Sequence, residues 1–486
     1  MASGLCRLPA HEMARRVAAR ELSAEDLLDA FVDRINRLNP KINAYCTTTF
    51  ELAREAARRA DQVARDLERD GGDAPRPPLL GVPTSVKDLV LTGGVRTTFG
   101  SKLFEDHVPE RDEVVVQRLK AAGAVILGKT NTSEFGHVAV TDNLVFGRTN
   151  NPWNLALTAG GSSGGAAAAC AAMLAPVNLG SDGGGSVRIP SAFCGVLGFK
   201  PSFGRIPIAP AFGAGFWGLN HYGPITRDVL DAALAYDATR GPHPGDRTSL
   251  PLERGPGGRS AFQALSEGEL PDRLKLAYWP DLGFVKAVDP EVEAVVEAAA
   301  RKFEQLGWTV ERVKKRVRNP EGAFSYWVSA TLAADFAKYL KSRREEMVPS
   351  FATFVEAGVS VTGLDLVRAL QRRETLHDQF LSVLTDHDLL ITPTTAIPAF
   401  EGDLSKPYVD VVAGKGVSHV GWMPFTYPFN MTGMPAASVP AGFTRDGLPV
   451  GMQLAGPPRG DLKVLQAALA FERVAPWKDH LPPGFA

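Results

Sequence analysis

Cysteine is scarce in this chain of 486 residues, and its four cysteines lie far apart without a CxxC pair. Such spacing argues against both a metal site and a dense disulfide framework. Charge of one sign is scarce as well, because 53 basic and 54 acidic side chains leave a formal net charge of -1. That balance gives no bulk attraction to nucleic acid or to an anionic membrane. We therefore expect no metal, no nucleic-acid partner and no membrane partner.

Long hydrophobic runs are also lacking. The uncharged stretch 166–181 is rich in alanine, contains Pro176 and is too short and too weakly apolar to span a bilayer. Charged residues such as Arg7, Glu12 and Arg15 interrupt the N-terminal segment, so we expect no signal-peptide core there. With 44% hydrophobic and 22% charged residues, the composition is that of an ordinary globular protein. We expect a cytoplasmic protein.

The chain does contain an alternation of helical and strand-like patterns. Apolar residues recur at helical spacing in some segments and form short buried runs in others. Helices are predicted over 8–38 with Ser23 as an N-cap, and over 49–67, 112–122, 228–236, 290–306, 323–344, 364–384 and 464–473. Strands are predicted to end at Lys87 and to cover 124–127, 274–279, 308–317, 389–395, and a hairpin of 436–444 with 448–454. This alternation favours a sheet with helices on both faces.

Two clusters of glycine and serine stand out, GGSSGG at 160–165 and SDGGGS at 181–186, on either side of an alanine-rich run. Glycine is unfavourable inside regular structure, so such clusters suit places where the backbone approaches a ligand or directs its amides at an anion. Flexible linkers do not carry an apolar helix between them. The pattern therefore predicts two catalytic loops joined by a buried helix.

Three serines in these clusters are candidate nucleophiles: Ser162, Ser163 and Ser186. A serine needs a neighbouring base and also needs donors for the oxyanion that its attack creates. The glycines just before Ser186 can supply such donors from bare backbone, which favours acyl transfer there. An alternative is the G-x-S-x-G elbow at 161–165, with Ser163 as the nucleophile of an α/β-hydrolase. The preceding NPWNLALT has little β-branched character, so the required strand is poorly supported.

Three other motifs suggest nucleotide or nucleic-acid binding but have ordinary explanations. GAVILGKT at 123–130 matches a phosphate loop, yet AVIL is itself a strand and no helix begins at the lysine. GAGFWG at 213–218 matches G-x-G-x-x-G without a preceding strand, which favours a loop that lines a pocket. VKKRVR at 313–318 is predicted to be a solvated strand edge. We expect no nucleotide site at any of them.

The strongest signal is a set of motifs spread over nearly the whole chain. They are GVPTSVKD at 81–88, GKTN at 128–131, GRTNNPWN at 147–154, GGSSGGAAAA at 160–169, GSDGGGSVRIPSAFCGVLGFKPSFGR at 180–205, GPITRDVLDAA at 223–233, ITPTT at 391–395, PFNMTGMPAASVPAG at 428–442 and GLPVGMQLAG at 447–456. In these motifs the chain resembles the amidase signature family of serine hydrolases. The resemblance implies an α/β fold, an α/β/α sandwich with a large mixed central sheet flanked by helices. We expect one domain over 1–486, with a helical preface at 1–70, a catalytic core at 79–235 and the remaining sheet and pocket elements at 260–486.

The resemblance also implies a Ser-cisSer-Lys triad. Ser186 is then the nucleophile, Ser162 the bridging serine after a cis bond from Gly161, and Lys87 the base. A lysine can act as a base near neutral pH only if burial disfavours its charged form, so Lys87 is expected in a desolvated site. It would take a proton relayed through Ser162, and Ser162 would later return a proton to the leaving amine.

Other residues take implied roles from the same resemblance. The oxyanion donors are the amides of Gly183, Gly184, Gly185 and Ser186. Positions that orient the two serine loops are Ser163, Asp182 and Arg188. Apart from the resemblance, apolar and aromatic side chains at 135, 212–221, 324–327 and 422–429 suggest pocket segments, and the residues expected to contact substrate are Phe135, Gly136, Trp217 and Met423. No metal and no organic cofactor is implied.

The substrate is expected to be a small neutral amide that is partly apolar or aryl, with esters, anilides and carbamates as additional substrates. An alternative is the glutamine-hydrolysing component of a tRNA-dependent amidotransferase. That component carries an acidic residue for the amino group of glutamine, whereas this chain has Met423 at the aligned place, and an apolar side chain cannot pair an ammonium. A non-catalytic, partner-dependent subunit is a further alternative, disfavoured because all three triad positions are intact. A homodimer is left open.

Overall fold

The computed structural model of the chain describes residues 2–69, 76–210, 216–253 and 255–485. At Ser23 the sequence supplies a side-chain cap, because its hydroxyl accepts from the amides of Glu25 and Asp26. The described residues form fifteen α-helices. They are α1 Ala2–Leu5, α2 Ala10–Ala18, α3 Ala24–Ile42, α4 Phe50–Arg69, α5 Val114–Ala121, α6 Gly164–Ala171, α7 Arg188–Cys194, α8 Val229–Thr239, α9 Ala261–Ser266, α10 Pro290–Arg301, α11 Glu321–Phe336, α12 Pro349–Val359, α13 Gly363–Leu384, α14 Tyr427–Met431 and α15 Asp461–Val474.

Most strands of the described residues join one mixed sheet. The strands are β1 Tyr45–Thr48, β2 Pro83–Lys87, β3 Val125–Thr130, β4 Asn150–Asn151, β5 Asn154–Thr158, β6 Val177–Asp182, β7 Leu197–Lys200, β8 His221–Thr226, β9 Lys275–Tyr278, β10 Thr309–Arg312, β11 Leu389–Pro393, β12 Val411–Val412, β13 Lys415–Gly416, β14 Ala436–Phe443 and β15 Pro449–Ala455. Eleven of them form a sheet in the order β1-β3-β2-β6-β8-β7-β14-β15-β11-β9-β10. Parallel pairs, such as β2 with β3 and with β6, occur beside antiparallel pairs, such as β14 with β15. The predicted fold class, a large mixed sheet flanked by helices, is confirmed.

The predicted elements differ from the structure in several places. The basic segment 313–318 is not part of a strand, because β10 ends at Arg312. The segment before the glycine-serine loop forms β5 despite its weak strand composition, but β5 pairs only with β4 in a separate hairpin. Sequence periodicity also missed β1 and α12. The hairpin of β14 and β15 is confirmed, with Ser438 opposite Gln453.

Topology brings the two serine loops to one end of the sheet. The alanine-rich helix α6 follows the first loop, and β6 then returns and ends at Asp182, where the second loop begins. Every residue of α6 is buried. A Cβ at Gly165 would lie 2.4 Å from the backbone nitrogen of Asn131, so only small residues allow this close packing. The adjacent strand β2 runs parallel to β6 and ends at Lys87, beside the same loops.

No single helix in the described ranges is long and apolar enough to cross a bilayer. By length and composition, α12 and α13 pass that test only as a pair, and the pair is bent by 102°.

Candidate active site

Lys87 is the last residue of β2, and its side chain is completely buried. Its Nζ donates to Oγ of Ser162 at 2.7 Å and to Oγ of Ser181 at 3.0 Å. Burial lowers the pKa of Lys87 well below its ordinary value, and the nearby charge of Asp182 opposes that shift without reversing it. Because the neutral amine is favoured, Lys87 can accept a proton from a hydroxyl group at a pH where an exposed lysine cannot.

The loop that carries Ser162 contains a cis peptide bond between Gly161 and Ser162. Thr141 holds this loop on both sides of that bond. Its N–H donates to the carbonyl of Gly160 at 3.1 Å, and its hydroxyl donates to the carbonyl of Ser162 at 3.3 Å. The same hydroxyl accepts from the N–H of Gly164 at 2.9 Å. Sequence reasoning did not identify Thr141, which lies 21 residues before Ser162 in a segment without a recognisable motif.

Ser163 joins the two serine loops. Its hydroxyl donates to the carbonyl of Ser181 at 3.1 Å and accepts from the N–H of Ser181 at 3.3 Å. Its own N–H donates to the carbonyl of Ser186 at 3.2 Å. Among the residues that the structure describes, no histidine or carboxylate contacts this hydroxyl, and Ser163 is fully buried. The geometry gives Ser163 the contacts of a loop-orienting residue and lacks the base that the elbow alternative requires.

The second loop is wound around the carboxylate of Asp182. Oδ1 accepts from the N–H of Gly185 at 2.7 Å, and Oδ2 accepts from the N–H of Val187 at 3.2 Å. Arg188 donates to both carboxylate oxygens at 2.9 Å. Burial alone would raise the pKa of Asp182, but the charge and hydrogen bonds of Arg188 hold it below its ordinary value. The ionised form of Asp182 is therefore favoured, and its hydrogen bonds fix the loop.

Arg188 is itself fully buried and donates five hydrogen bonds. Beyond Asp182, its acceptors are the carbonyl of Thr426 at 2.9 Å, Oε1 of Gln453 at 2.7 Å and Oδ1 of Asn430 at 2.7 Å. Its guanidinium thus has no unsatisfied N–H, as a buried arginine requires. The sequence shows that Arg188 offers five N–H donors, but it does not show these acceptors. They lie more than 230 residues later in the chain.

The predicted oxyanion donors do not all have free amides. The N–H of Gly185, where φ is +130°, donates to Oδ1 of Asp182. Within the described residues, the amides of Gly183, Gly184 and Ser186 have no acceptor. Aromatic rings cover this loop, since a Cβ at Gly184 would lie 2.7 Å from Cζ of Phe324. The set of available donors is therefore narrower than the sequence predicts.

A pocket opens beside Ser186. Its walls are mostly apolar and aromatic, and its described lining contains no aspartate, glutamate, lysine or arginine. The lining residues are Gly136, His137, Val138, Ala139, Gly184, Ser186, Ile189, Phe216, Phe324, Ser325, Val328, Phe354, Pro407, Tyr408, His419, Val420, Trp422 and Met423. Burial lowers the pKa of His137 to about 4. The pocket therefore suits an uncharged ligand.

Only part of the predicted substrate contacts line this pocket. Gly136 and Met423 do, but Phe135 is fully buried and packs against the rings of Phe336 at 4.1 Å and Phe351 at 5.1 Å. Trp217 is 58% exposed and lies outside the lining. The neighbouring Phe216 lines the wall instead.

The structure describes one of the two nucleotide-like motifs in full and the other in part. In the motif at 123–130, Lys129 lies on β3 and is fully buried, with no helix beginning there. In the motif at 213–218, residues 213–215 lie outside the described residues, whereas Gly218 packs against Trp327.

One group of potential metal ligands occurs in the described part of the chain: His11, Asp228 and Asp231. It is not part of the pocket. Both oxygens of Asp231 already accept from backbone amides, those of Ala10 at 2.6 Å and His11 at 2.9 Å. These contacts join α2 to α8 and explain the group as a structural link.

Comparison with known proteins shows which proteins this chain resembles. The Amidase family model matches residues 26–465. The acylamidase of Rhodococcus erythropolis is 39% identical over 477 residues, which cover 98% of this chain and 97% of that protein. The A component of the glutamyl-tRNA(Gln) amidotransferase of Moorella thermoacetica is 36% identical, with 98% of each chain covered. Among solved structures, a bacterial aryl acylamidase matches with a TM-score of 0.87 and 31% identity over 97% of this chain and 96% of that one.

Proposed function

The chain belongs to the amidase signature family of amide-hydrolysing enzymes, and on that premise we propose that it cleaves small, neutral, partly apolar or aryl amides through an acyl-enzyme on Ser186. The observation that carries the proposal is the hydrogen bond of 2.7 Å from the buried Lys87, whose pKa burial lowers, to Ser162, next to a pocket lined by Ser186.

The proposed reaction has two stages. Ser186 attacks the carbonyl carbon while Ser162 takes its proton and passes its own proton to Lys87. The amides of Gly183, Gly184 and Ser186 stabilise the oxyanion, because they are the amides of this loop that lack an acceptor within the described residues. Lys87 and Ser162 then return a proton to the leaving amine. Water then attacks the carbonyl of the acyl-enzyme, and its proton passes through Ser162 to Lys87. The proton returns to the oxygen of Ser186 as the acid product leaves.

The pocket favours an acylamidase over the glutamine-hydrolysing component of an amidotransferase. Glutamine carries an ammonium and a carboxylate, and burying either without a partner is strongly unfavourable. The described lining offers neither an acidic nor a basic side chain, and Met423 contributes a thioether to the wall. The similarity to the amidotransferase component nevertheless makes glutamine hydrolysis the second candidate. Esters, anilides and carbamates are proposed as additional substrates, because the acyl-transfer groups act on the carbonyl.

The test is hydrolysis of an aliphatic amide, a nitroanilide, an aryl carbamate and glutamine by the wild type and by Ser186→Ala, Ser162→Ala and Lys87→Ala. We expect neutral amides to be cleaved and each variant to lose about 10⁴-fold in kcat/KM. Ser163→Ala is the matched control, expected to retain most activity because it removes only a loop contact. Activity that survives in Ser186→Ala and disappears in Ser163→Ala would support the elbow instead. Cleavage of glutamine alone would support the amidotransferase alternative.

A further inference from the structure

Thr426 lies at the N-terminus of α14, where a threonine hydroxyl ordinarily accepts hydrogen bonds from the first amides of the helix. Here no described amide of the helix donates to it. The side chain is fully buried, and its hydroxyl instead donates to the carbonyl of Gly184 at 2.7 Å. The carbonyl of Met423 is farther from it, at 3.3 Å. Because a hydroxyl carries a single proton, the shorter contact assigns that proton to Gly184, in the loop before Ser186.

The carbonyl of Gly184 belongs to the same peptide group as the N–H of Gly185. This peptide group is trans and planar, so its two polar atoms point in opposite directions. The N–H donates to Oδ1 of Asp182 at 2.7 Å, and the carbonyl accepts from Thr426. Two buried side chains therefore hold this peptide group at its two ends, one from the loop itself and one from a residue 242 positions later in the chain.

The amides assigned to the oxyanion lie on either side of this peptide group. The preceding peptide carries the N–H of Gly184 and the following one carries the N–H of Ser186, and neither has an acceptor within the described residues. Gly184 and Gly185 join the three peptide groups, and because they lack a Cβ they restrict rotation only weakly. The fixed central peptide thus sets the direction of both amides, which the glycines by themselves do not set.

The anchor at Thr426 is itself held in place. A Cβ at Gly185 would lie 2.4 Å from Oγ1 and 2.6 Å from Cβ of Thr426, so the threonine packs directly against the loop. The carbonyl of Thr426 accepts from the guanidinium of Arg188 at 2.9 Å. The same guanidinium donates to the carboxylate of Asp182 at 2.9 Å. One buried cation therefore links the two anchors of the peptide group.

We propose that Thr426 is a positioning residue of the reaction, whose hydroxyl holds the amides of Gly184 and Ser186 in the direction that stabilises the oxyanion. The effect belongs to the transition state, because negative charge develops on the oxygen there, whereas the intact amide has a neutral carbonyl. This inference rests on the proposed function, since it assumes acyl transfer at Ser186. The competing explanation is that the hydrogen bond only stabilises the fold.

Thr426→Val is the first test, because valine keeps the shape of threonine and removes its hydroxyl. We expect kcat/KM on a neutral nitroanilide to fall about 30-fold, less than the roughly 10²–10³-fold that removal of an oxyanion donor costs. Thr426→Ser retains the hydroxyl and is expected to stay within about threefold of the wild type. Thr426→Ala and Thr426→Ser form a second pair that differs only in the hydroxyl, so the comparison remains available if the valine variant does not fold.

Two ligands separate the transition state from the ground state. An arylboronic acid accepts the oxygen of Ser186 at boron and becomes tetrahedral, with another oxygen at the oxyanion position, and its inhibition constant is measured for each variant. The affinity of the intact nitroanilide is measured by calorimetry in the Ser186→Ala background, which prevents turnover. We expect Thr426→Val to weaken the boronate by about the same 30-fold, while the affinity for the amide changes less than about twofold.

Thr226→Val is the matched control. Thr226 is fully buried, and its hydroxyl donates to the carbonyl of Asp228 at 2.7 Å, the same distance as in the bond from Thr426 to Gly184. Neither Thr226 nor Asp228 belongs to the described lining of the pocket. We expect Thr226→Val to lower the melting temperature as Thr426→Val does, but to leave kcat/KM and the affinity for the boronate unchanged.

The inference is overturned if Thr426→Val retains the kcat/KM of the wild type, if it weakens the amide and the boronate equally, or if Thr226→Val weakens the boronate as much. Failure of the proposed function gives a different result. In that case the wild type neither cleaves the nitroanilide nor binds the boronate in a way that Ser186→Ala abolishes, and the inference fails with it.

Discussion

Two lysines of this protein lie on neighbouring strands, are completely buried and nevertheless have different surroundings. Lys87 ends β2, and Lys129 lies on β3, which pairs with β2 in parallel. In that register Lys129 is opposite Val86, and Lys87 is opposite Thr130. Side chains of paired residues share a face and successive side chains alternate, so the two lysines project to opposite faces of the sheet. One face carries the serine loops and the other does not.

The partners of the two amines differ accordingly. Lys87 contacts the serine hydroxyls of Ser162 and Ser181. Lys129 donates to the carbonyl of Val90, to Oγ1 of Thr92 at 2.9 Å and to Oγ1 of Thr97 at 3.0 Å.

Burial lowers the pKa of Lys129 to about 8, a shift that Asp88 and other nearby charges partly oppose. Burial thus creates a weakly basic lysine at both positions. What distinguishes Lys87 is a hydroxyl partner beside the pocket.

The largest expected effect is the difference between Lys87→Met and Lys129→Met in catalysis. Methionine keeps the length and most of the volume of lysine without its amine. We expect Lys87→Met to lower kcat/KM by about 10⁴-fold or more, because among the described residues Lys87 is the titrating group that contacts the hydroxyl of Ser162. Lys129→Met is expected to stay within about tenfold of the wild type, since its partners do not reach the pocket. Steady-state kinetics on a nitroanilide measures both.

Circular dichroism and the melting temperature serve as the folding control for this pair of variants. If Lys129→Met lost as much activity as Lys87→Met while remaining folded, burial itself, and not the contact with Ser162, would be the feature that matters.

A second difference concerns stability and its dependence on pH. The pKa of Lys129 in the folded chain is about 8, below its unfolded value of about 10.4, so the unfolded chain binds more protons between these pH values. Stability contributed by this group therefore rises as the pH rises through that window. Between about pH 7 and about pH 10, we expect the wild type to gain about 2–3 kcal/mol in free energy of unfolding relative to Lys129→Met.

Urea unfolding at several pH values measures that difference, and comparison with the variant removes the contributions of other titrating groups. A constant difference between the two proteins across the window would show that Lys129 is not titrating in the folded chain. Thr97→Val removes one acceptor of the Lys129 amine but no titrating group, so its stability relative to the wild type is expected to change less with pH than that of Lys129→Met.

The sequence was sufficient to predict the elements that carry these residues. Buried apolar runs marked β2 and β3, and the two glycine clusters with alanine between them marked the loops on either side of α6. The contact of Asp182 with the N–H of Gly185 is local and is also accessible to sequence reasoning, because aspartate commonly caps a backbone amide two or three residues on.

Residue-level environments were less predictable because they depend on distant chain segments. Phe135 turns away from the pocket, as its neighbours Phe336 and Phe351 come from helices about 200 residues later. The acceptors of Arg188 likewise lie on segments near the C-terminus. The burial of Lys87 could be inferred from the resemblance, but hydrophobic periodicity alone did not distinguish it from an exposed strand end.

The smallest expected effect tests how closely the partner of Lys87 is positioned. Gly136 has φ of +71°, and a Cβ there would lie 3.1 Å from Oγ of Ser162. Gly147 has φ of +75° with no atom within 4 Å of the corresponding position.

Alanine at either site incurs the same backbone strain of about 1–2 kcal/mol, but only Gly136→Ala also displaces Ser162 by a few tenths of an ångström. Because misplacement of about 1 Å can cost 10²-fold in rate, we expect Gly136→Ala to lower kcat about tenfold and Gly147→Ala to leave it unchanged at a temperature where both are folded. Equal kcat values for the two variants would mean that Ser162 moves freely, and the contact with Lys87 would then not require a fixed hydroxyl.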